Sequence, residues 1–310
     1  MTGIAYNKKE TDPVTSIEQL LTDPKLKGKV TCLTEMPDTM GLVMLSNGAD
    51  PTTVDPAAFD DAIATLQDAV DSSQIRRFTG NDYGDDLSSG NVAAAMAWSG
   101  DVVQLQLDNP DLEFVLPDAG GMIWTDNMLI PTGGDVFTAS TYMNFVYDPK
   151  VAAEIEDWVN YICPVSGARE ELLKIDPGVA KNPLIFPTDE MLANVKSFDA
   201  EAADNAEYKE QFQAVIGGLS IALATIHFPD VTRDLVLTAV FGGALLVGSA
   251  ISPLFRRVFA VRRILLLELW TWTGSALFVI WPNVYVLAAS TIPQALTIPS
   301  TDSVVHGYRL

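Results

Sequence analysis

The sequence predicts an α/β fold over about its first 216 residues, followed by an apolar segment with two to three transmembrane helices. Three observations carry this division. Helix-period and strand-like runs alternate from Ser16 to Ile216. The acidic charge is confined to the same stretch: residues 1–216 hold 36 Asp and Glu against 13 Lys and Arg, a net of −23. From Gly217 to Leu310 there are 4 acidic and 6 basic residues, a net of +2, and Leu235 to Phe255 runs 21 residues without a charge.

The elements follow in order. Ser16 is placed to cap a helix, with Gln19 completing a capping box. Lys27 to Glu35 (KGKVTCLTE) reads as a strand. Asp55 and Pro56 form an N-cap and first-turn pair, and Phe59, Ile63, Leu66 and Val70 then share one helix face. Asn91 to Trp98 and Leu112 to Pro117 read as short buried strands. Asp148 and Pro149 start another helix, with Val151, Ile155 and Val159 expected on its inner face. Asp199 to Ile216 is expected to form one helix, polar and then amphipathic.

In the apolar part, the candidate spans are 235–255, 264–281 and 283–299. Four arginines in Arg256 to Arg263 make the loop between the first two cytoplasmic by the positive-inside rule. Glu268, at one end of its span, reads equally as a functional acid or an interfacial one. The start of the chain carries no apolar signal segment.

Composition excludes several chemistries. So acidic a domain is a poor nucleic-acid binder, because phosphate contacts need Lys and Arg. Both histidines, His227 and His306, fall in the last third, so the acidic part has no Ser-His-Asp or Cys-His set and no His-bearing zinc site. Cys32 and Cys163 permit one disulfide without demanding it. Asn81 to Asn91 (NDYGDDLSSGN) is acid-rich but lacks the closing Glu and the spacing of a calcium loop, and reads as a solvated loop beside a cleft. No metal, no cofactor and no catalytic set is expected, and the chain is not read as an enzyme.

Trp124 and Asp126, in GGMIWTDNMLIP, offer the clearest chemistry. Two positions apart on an extended strand, they point the same way. The carboxylate accepts charge-assisted hydrogen bonds from an ammonium group, and the indole face attracts a cation and packs a methylene chain. Core packing beside a solvated acid is the plainer reading of one such pair. Glu35 with Asp38, and Trp98 with Asp101, repeat the chemistry and argue for a site that takes an organic polycation.

Residues 1–216 resemble the C-terminal two-thirds of the bacterial spermidine/putrescine-binding proteins, the extracytoplasmic receptors of polyamine ABC importers. The resemblance rests on TGIAYNKKETDPVTSIEQLLTDPKLKGKVTCLTEMPDTMGLVML, FTGNDYGDDLSSGNVAAAMAWSGDV, GGMIWTDNMLIP and NFVYDPKVAAEIEDWVNYICPV, in that order. It implies a partial type II periplasmic-binding-protein fold: a complete second lobe at about 16–118, then a hinge and first-lobe remnant at about 119–216. It also implies roles. Glu35 and Asp38 would bind one amine end, Trp98 and Trp124 would flank the methylene chain, Asp126 would bind another amine, and Tyr161 would add aromatic contact or a hydroxyl acceptor. No role carries over to Ser197 or Phe198. The rest of the first lobe is missing from this chain, so the resemblance implies much reduced affinity, since such receptors close two lobes on the ligand.

From Gly217 on, GGALLVGSAISPLFRRVFAVRRILLLELWTW resembles a helix, basic loop and helix of a major facilitator transporter. Two incomplete families meeting near Ile216 and Gly217 suggest a fusion of fragments or an assembly artefact. The expected partners are a polyamine ligand, an ABC importer permease and, through the C-terminal segment, a membrane, with no nucleic acid. The binding domain is expected outside the cytoplasm. The alternative reading is a membrane protein, a partial transporter with an acidic extramembrane domain.

Overall fold

The computed structural model describes residues 1–227. Two compact units divide the chain. The first comprises Met1–Leu129 and Asp135–Leu219; the second comprises Ile130–Gly134 and the chain from Ser220 on, most of which lies outside the described residues. The three candidate spans, the arginine loop and Glu268 all fall outside them too. Among the described residues no helix is long and apolar enough to cross a membrane.

The first unit is built on one mixed sheet. Its strands are β1 (Thr2–Asn7), β2 (Val30–Leu33), β3 (Ile75–Thr79), β4 (Ala94–Trp98), β5 (Leu112–Val115), β6 (Gly121–Met122) and β7 (Val195–Lys196). They lie in the order β3-β2-β4-β1-β6-β7, with β5 also on β1. β2 runs parallel to β3 and β4, whereas β1 is antiparallel to β4, β5 and β6. The sheet therefore begins at Thr2, ahead of the 16–118 range expected for the second lobe. β1 and β4 are buried along nearly their whole length, as central strands covered on both faces should be.

The helices are α1 (Ile17–Thr22), α2 (Met36–Ser46), α3 (Pro56–Asp71), α4 (Tyr83–Ser89), α5 (Ser99–Asp108), α6 (Val136–Val146), α7 (Pro149–Val159), α8 (Ala168–Ile175), α9 (Asp189–Ala193), α10 (Ala200–Asp204) and α11 (Ala206–His227). Ser16 caps α1 as expected, its hydroxyl accepting from Gln19 N at 3.0 Å. The Gln19 side chain reaches back one residue further than a capping box requires, accepting from Thr15 N. Asp55 caps α3, which buries Phe59, Leu66 and Val70 with Ile63 packed at the edge of the core. Phe212, Val215 and Leu219 of α11 join the same core, and Tyr208 stacks on Phe59 with ring centroids 4.0 Å apart.

Four local expectations are corrected. Asp199 to Ile216 is not one helix: the Asn205 side chain accepts from Glu207 N and Tyr208 N, ending α10 and capping α11. α11 then continues without a break through Ile216 and Gly217. The acid-rich run is not a loop: Tyr83 to Ser89 is helical, closed by Gly90 at φ +74°, while Arg77 pairs with Asp82 and Asp86. In α7 the covered residues are Ala152, Ala153 and Glu156, whereas Ile155 and Val159 are more than a third exposed. Small side chains let α7 close on α8, where Ala153 and Leu172 form a separate small core. The GGMIW strand is shorter than expected: only Gly121 and Met122 pair in register with β7, and the last backbone bond to it is from Ile123 N to Lys196 O.

Candidate ligand-binding site

The parallel strands β2 and β4 both end at one rim of the sheet, where open α/β sheets bind their ligands. A cavity of about 660 Å³ opens there. Glu35, Asp38, Trp98, Trp124, Asp126 and Tyr161, the six residues singled out in the sequence, all line it. They arrive from separate elements. Glu35 and Asp38 sit at the N-terminus of α2, just past β2. Trp98 ends β4. Trp124 and Asp126 follow β6, and Tyr161 follows α7.

Asn81, Met122, Ser197 and Phe198 also line the cavity, and the sequence did not mark them as contacts. Asn81 opens the acid-rich run, which was the available signal. Ser197 and Phe198 follow a two-residue strand with no periodicity to betray it. Met122 fits because a Cβ on Gly41 would sit 2.5–3.0 Å from its side chain.

The carboxylates differ in what they are free to do. Asp38 is tucked in, its Oδ1 accepting the Thr2 hydroxyl and its Oδ2 accepting Trp98 Nε1 at 3.3 Å. Burial holds its carboxyl above the usual range, while the Thr2 and Trp98 bonds pull the other way. Glu35 is exposed and, among the described residues, accepts only the adjacent Thr34 hydroxyl, at 3.0 Å. Asp126 is exposed and accepts no hydrogen bond from the described residues. Among the described residues no Lys or Arg lines the cavity. The site is therefore anionic, and two of its carboxylates have unspent acceptors.

The aromatic groups form a connected wall. Trp98 meets Trp124 edge to face at 6.2 Å, and Tyr83 meets Trp98 at 6.1 Å. The two indoles thus make a corner and not the two parallel faces of a slot. Asp101, paired with Trp98 in the sequence, does not line this cavity. Its carboxylate instead accepts from Asn81, Tyr83 and Tyr161. Burial first, then Asp101, pushes the Tyr161 phenol well above its ordinary range, so it stays protonated.

Both cysteines are free, Cys32 in the core and Cys163 half-buried. Among the described residues no group of His, Cys, Asp and Glu is arranged to hold a metal ion.

Comparisons with known proteins bear on the family and the fold. A family model for the bacterial extracellular solute-binding proteins matches residues 1–188. The spermidine/putrescine-binding periplasmic protein of Escherichia coli is 24% identical over 220 residues, covering 70% of this chain and 62% of the relative. A putrescine/cadaverine-binding protein of Pseudomonas aeruginosa is 26% identical over 201 residues, covering 60% of this chain and 55% of the relative. Among solved structures, a spermidine/putrescine substrate-binding protein of Streptococcus pneumoniae superposes with a TM-score of 0.59 at 19% identity, over 71% of this chain and 66% of that one. A binding protein of Agrobacterium tumefaciens in complex with glucopine gives a TM-score of 0.57 at 19% identity, over 69% of this chain and 68% of that one. The structural likeness establishes the periplasmic-binding-protein α/β fold, which serves both ligands. This chain spans 62% of the length of the Escherichia coli relative. The family model ends at residue 188, so it lends no support to the transporter resemblance after Gly217.

Proposed function

The chain belongs to the family of bacterial extracellular solute-binding proteins, and we propose that its cleft binds a polyamine of the spermidine and putrescine class as the solute receptor of an ABC importer. One observation carries the reading: Glu35, Asp38 and Asp126 converge with Trp98 and Trp124 on a cavity that no Lys or Arg among the described residues lines. The chemistry matches a chain of methylenes ending in ammonium groups. Glu35 and Asp126, with acceptors to spare, take the amine ends. The Trp98 and Trp124 corner packs the methylenes and adds cation–π attraction. Asp38, already bonded to Thr2 and Trp98, adds a third acidic group to the cavity lining. Named relatives that bind spermidine, putrescine or cadaverine support the choice of ligand class.

The same reading covers the remaining proposals. Residues from about 16 to 118, extended by β1, are one receptor lobe, and residues 119–216, which add β6 and β7 to its sheet, carry the hinge and part of the other lobe. Action is by binding and not by catalysis, outside the cytoplasm, with delivery to an importer permease. We propose weak binding by this cleft, because Glu35 and Asp126 are exposed and Trp124 is 38% exposed. Ammonium groups held at such positions keep much of their hydration and gain less from each carboxylate.

Tryptophan fluorescence on the full chain tests the ligand class. Putrescine should change the emission saturably, and 1,4-butanediol, which has the same carbon chain without charge, should not. Equal responses to both compounds would refute recognition by the carboxylates.

A further inference from the structure

Helix α6 is 11 residues long and buries none of them. Val136 to Tyr147 contains no charged residue, in a chain whose net charge is −21. So short a helix is marginal in water by itself, and most helices gain their stability by burying an apolar face. Ala139, Ser140, Met143 and Val146 are partly covered and mark the side turned to the rest of the unit. The opposite side carries Phe137 at 81%, Tyr142 at 61% and Phe145 at 60% exposure.

That side has its own order. Phe137, Thr141 and Phe145 stand at i, i+4 and i+8, one above the other, with Thr138 and Tyr142 beside them. Both threonine hydroxyls are already used within the element: Thr141 donates to the Phe137 carbonyl and Thr138 to Asp135 Oδ2, each at 2.7 Å. Water can therefore leave this side without orphaning either hydroxyl. Thr141 lies midway between the two phenylalanines, so the row reads the same in both directions.

We propose that this side of α6 is a homodimer interface, in which two copies of the chain pair their α6 helices antiparallel across a two-fold axis at Thr141. Phe137 of each copy meets Phe145 of the other, and the small Thr141 lets the helices approach closely on the axis. Three features favour a second copy as the occupant. The row is self-complementary, as an isologous contact requires. Its lack of charge lets two strongly acidic chains touch without placing like charges at the centre, and the antiparallel helices set opposite dipole ends side by side. The area is also of the right size. Phe137, Tyr142 and Phe145 offer on the order of 400 Å² at these exposures, about half of what each partner gives to a standard interface. Met128, Leu129, Val136 and Tyr147, exposed on either side in the chain, add to it.

Position-specific cross-linking tests the pairing and separates it from association elsewhere on the chain. In the full chain carrying Cys163→Ser, Thr141→Cys should oxidise to a covalent dimer, because residues on the axis face each other within disulfide reach. Leu107→Cys, at an 80% exposed position on α5, should stay reduced. In sedimentation of the full chain at micromolar concentration the parent should be a dimer. Phe145→Glu places a carboxylate on both sides of the axis and should weaken the dimer on the order of a hundredfold. Its circular dichroism should match the parent, since α6 buries nothing, and Leu107→Glu should sediment as the parent does. A monomeric parent, a dimer that withstands Phe145→Glu, or cross-linking of Thr141→Cys no greater than that of Leu107→Cys would overturn the proposal and leave α6 to a different occupant.

Discussion

Trp98 and Trp124 meet edge to face, with ring centroids 6.2 Å apart and ring planes at 62°. One ring ends a strand of the central sheet, and the other follows the short strand on the far side of β1. Their contact forms a corner of the cavity wall. Trp98 is further held by Asp38 at its indole nitrogen and by Tyr83 at its backbone N–H. Trp124, at 38% exposure, depends more on Trp98 than on the core.

Trp124→Ala should therefore weaken putrescine binding by roughly tenfold, the scale of one lost cation–π and packing contact, while the unfolding midpoint changes little. A titration of the variant against the parent, with thermal unfolding run beside it, checks both halves. A large loss of stability would mean that Trp124 is a core residue.

Asp38 makes the opposite prediction. Asp38→Ala removes the acceptor for the Thr2 hydroxyl and for Trp98 Nε1, leaving one buried and one half-buried donor without these partners. The variant should lose about 1–3 kcal/mol of stability, read as a lower denaturant midpoint. Asp38→Asn, which keeps one acceptor, should lose less.

Glu156 sets a pH dependence. Its burial pushes the carboxyl up to about 7 from an ordinary 4.5, against a smaller opposing effect of the bond to Cys163, and its Oε2 has no hydrogen-bond partner. The native state therefore prefers the protonated acid. Below pH 4.5 Glu156 is neutral folded and unfolded and costs nothing; between 4.5 and about 7 the unfolded chain ionises first, and stability falls. The loss should level off above the folded value at about 1–2 kcal/mol, after discounting for partial solvent screening. Glu156→Gln stays neutral throughout. It should match the parent at low pH and exceed it in chemical denaturation at pH 8.

Gly120 offers a backbone test. Its φ is +109°, and a Cβ there would come 2.8 Å from the Asn194 carbonyl oxygen. Gly120→Ala should destabilise the first unit by on the order of 1–3 kcal/mol. It should also loosen the β6 and β7 pairing that carries Trp124 and Phe198 to the cleft. Hydrogen exchange at Gly121 and Ile123, whose amides donate to Asn194 and Lys196, reports that loosening.

The sequence revealed the elements whose signals are local. Ser16, Asp55 and Asp148 announce helices by side-chain capping, and the Phe59, Leu66 and Val70 stripe announces a buried face. The Trp–Asp pattern marked Trp98, Trp124 and Asp126, the acid pair marked Glu35 and Asp38, and the family resemblance added Tyr161; all six line one cavity. What the sequence missed depends on distance. Thr2 becomes a partner of Asp38 only once β1 enters the sheet beside β4. The bonds of Asp101 to Asn81, Tyr83 and Tyr161 likewise form only on folding. The exposed side of α7 was misread because an Ile and Val stripe outweighs alanines on any hydrophobic scale, although small residues make the closer helix contact. Asn205 was legible in principle as a cap, but an otherwise helical run concealed it.

The most direct test is titration calorimetry of the full chain with spermidine, alongside Asp126→Asn and Glu35→Gln, the two carboxylates with acceptors to spare. The expected result is saturable heat from the parent that weakens in each single variant and vanishes in the double. Absence of heat from a folded parent, or heat that survives loss of both carboxylates, would contradict polyamine recognition by this cleft.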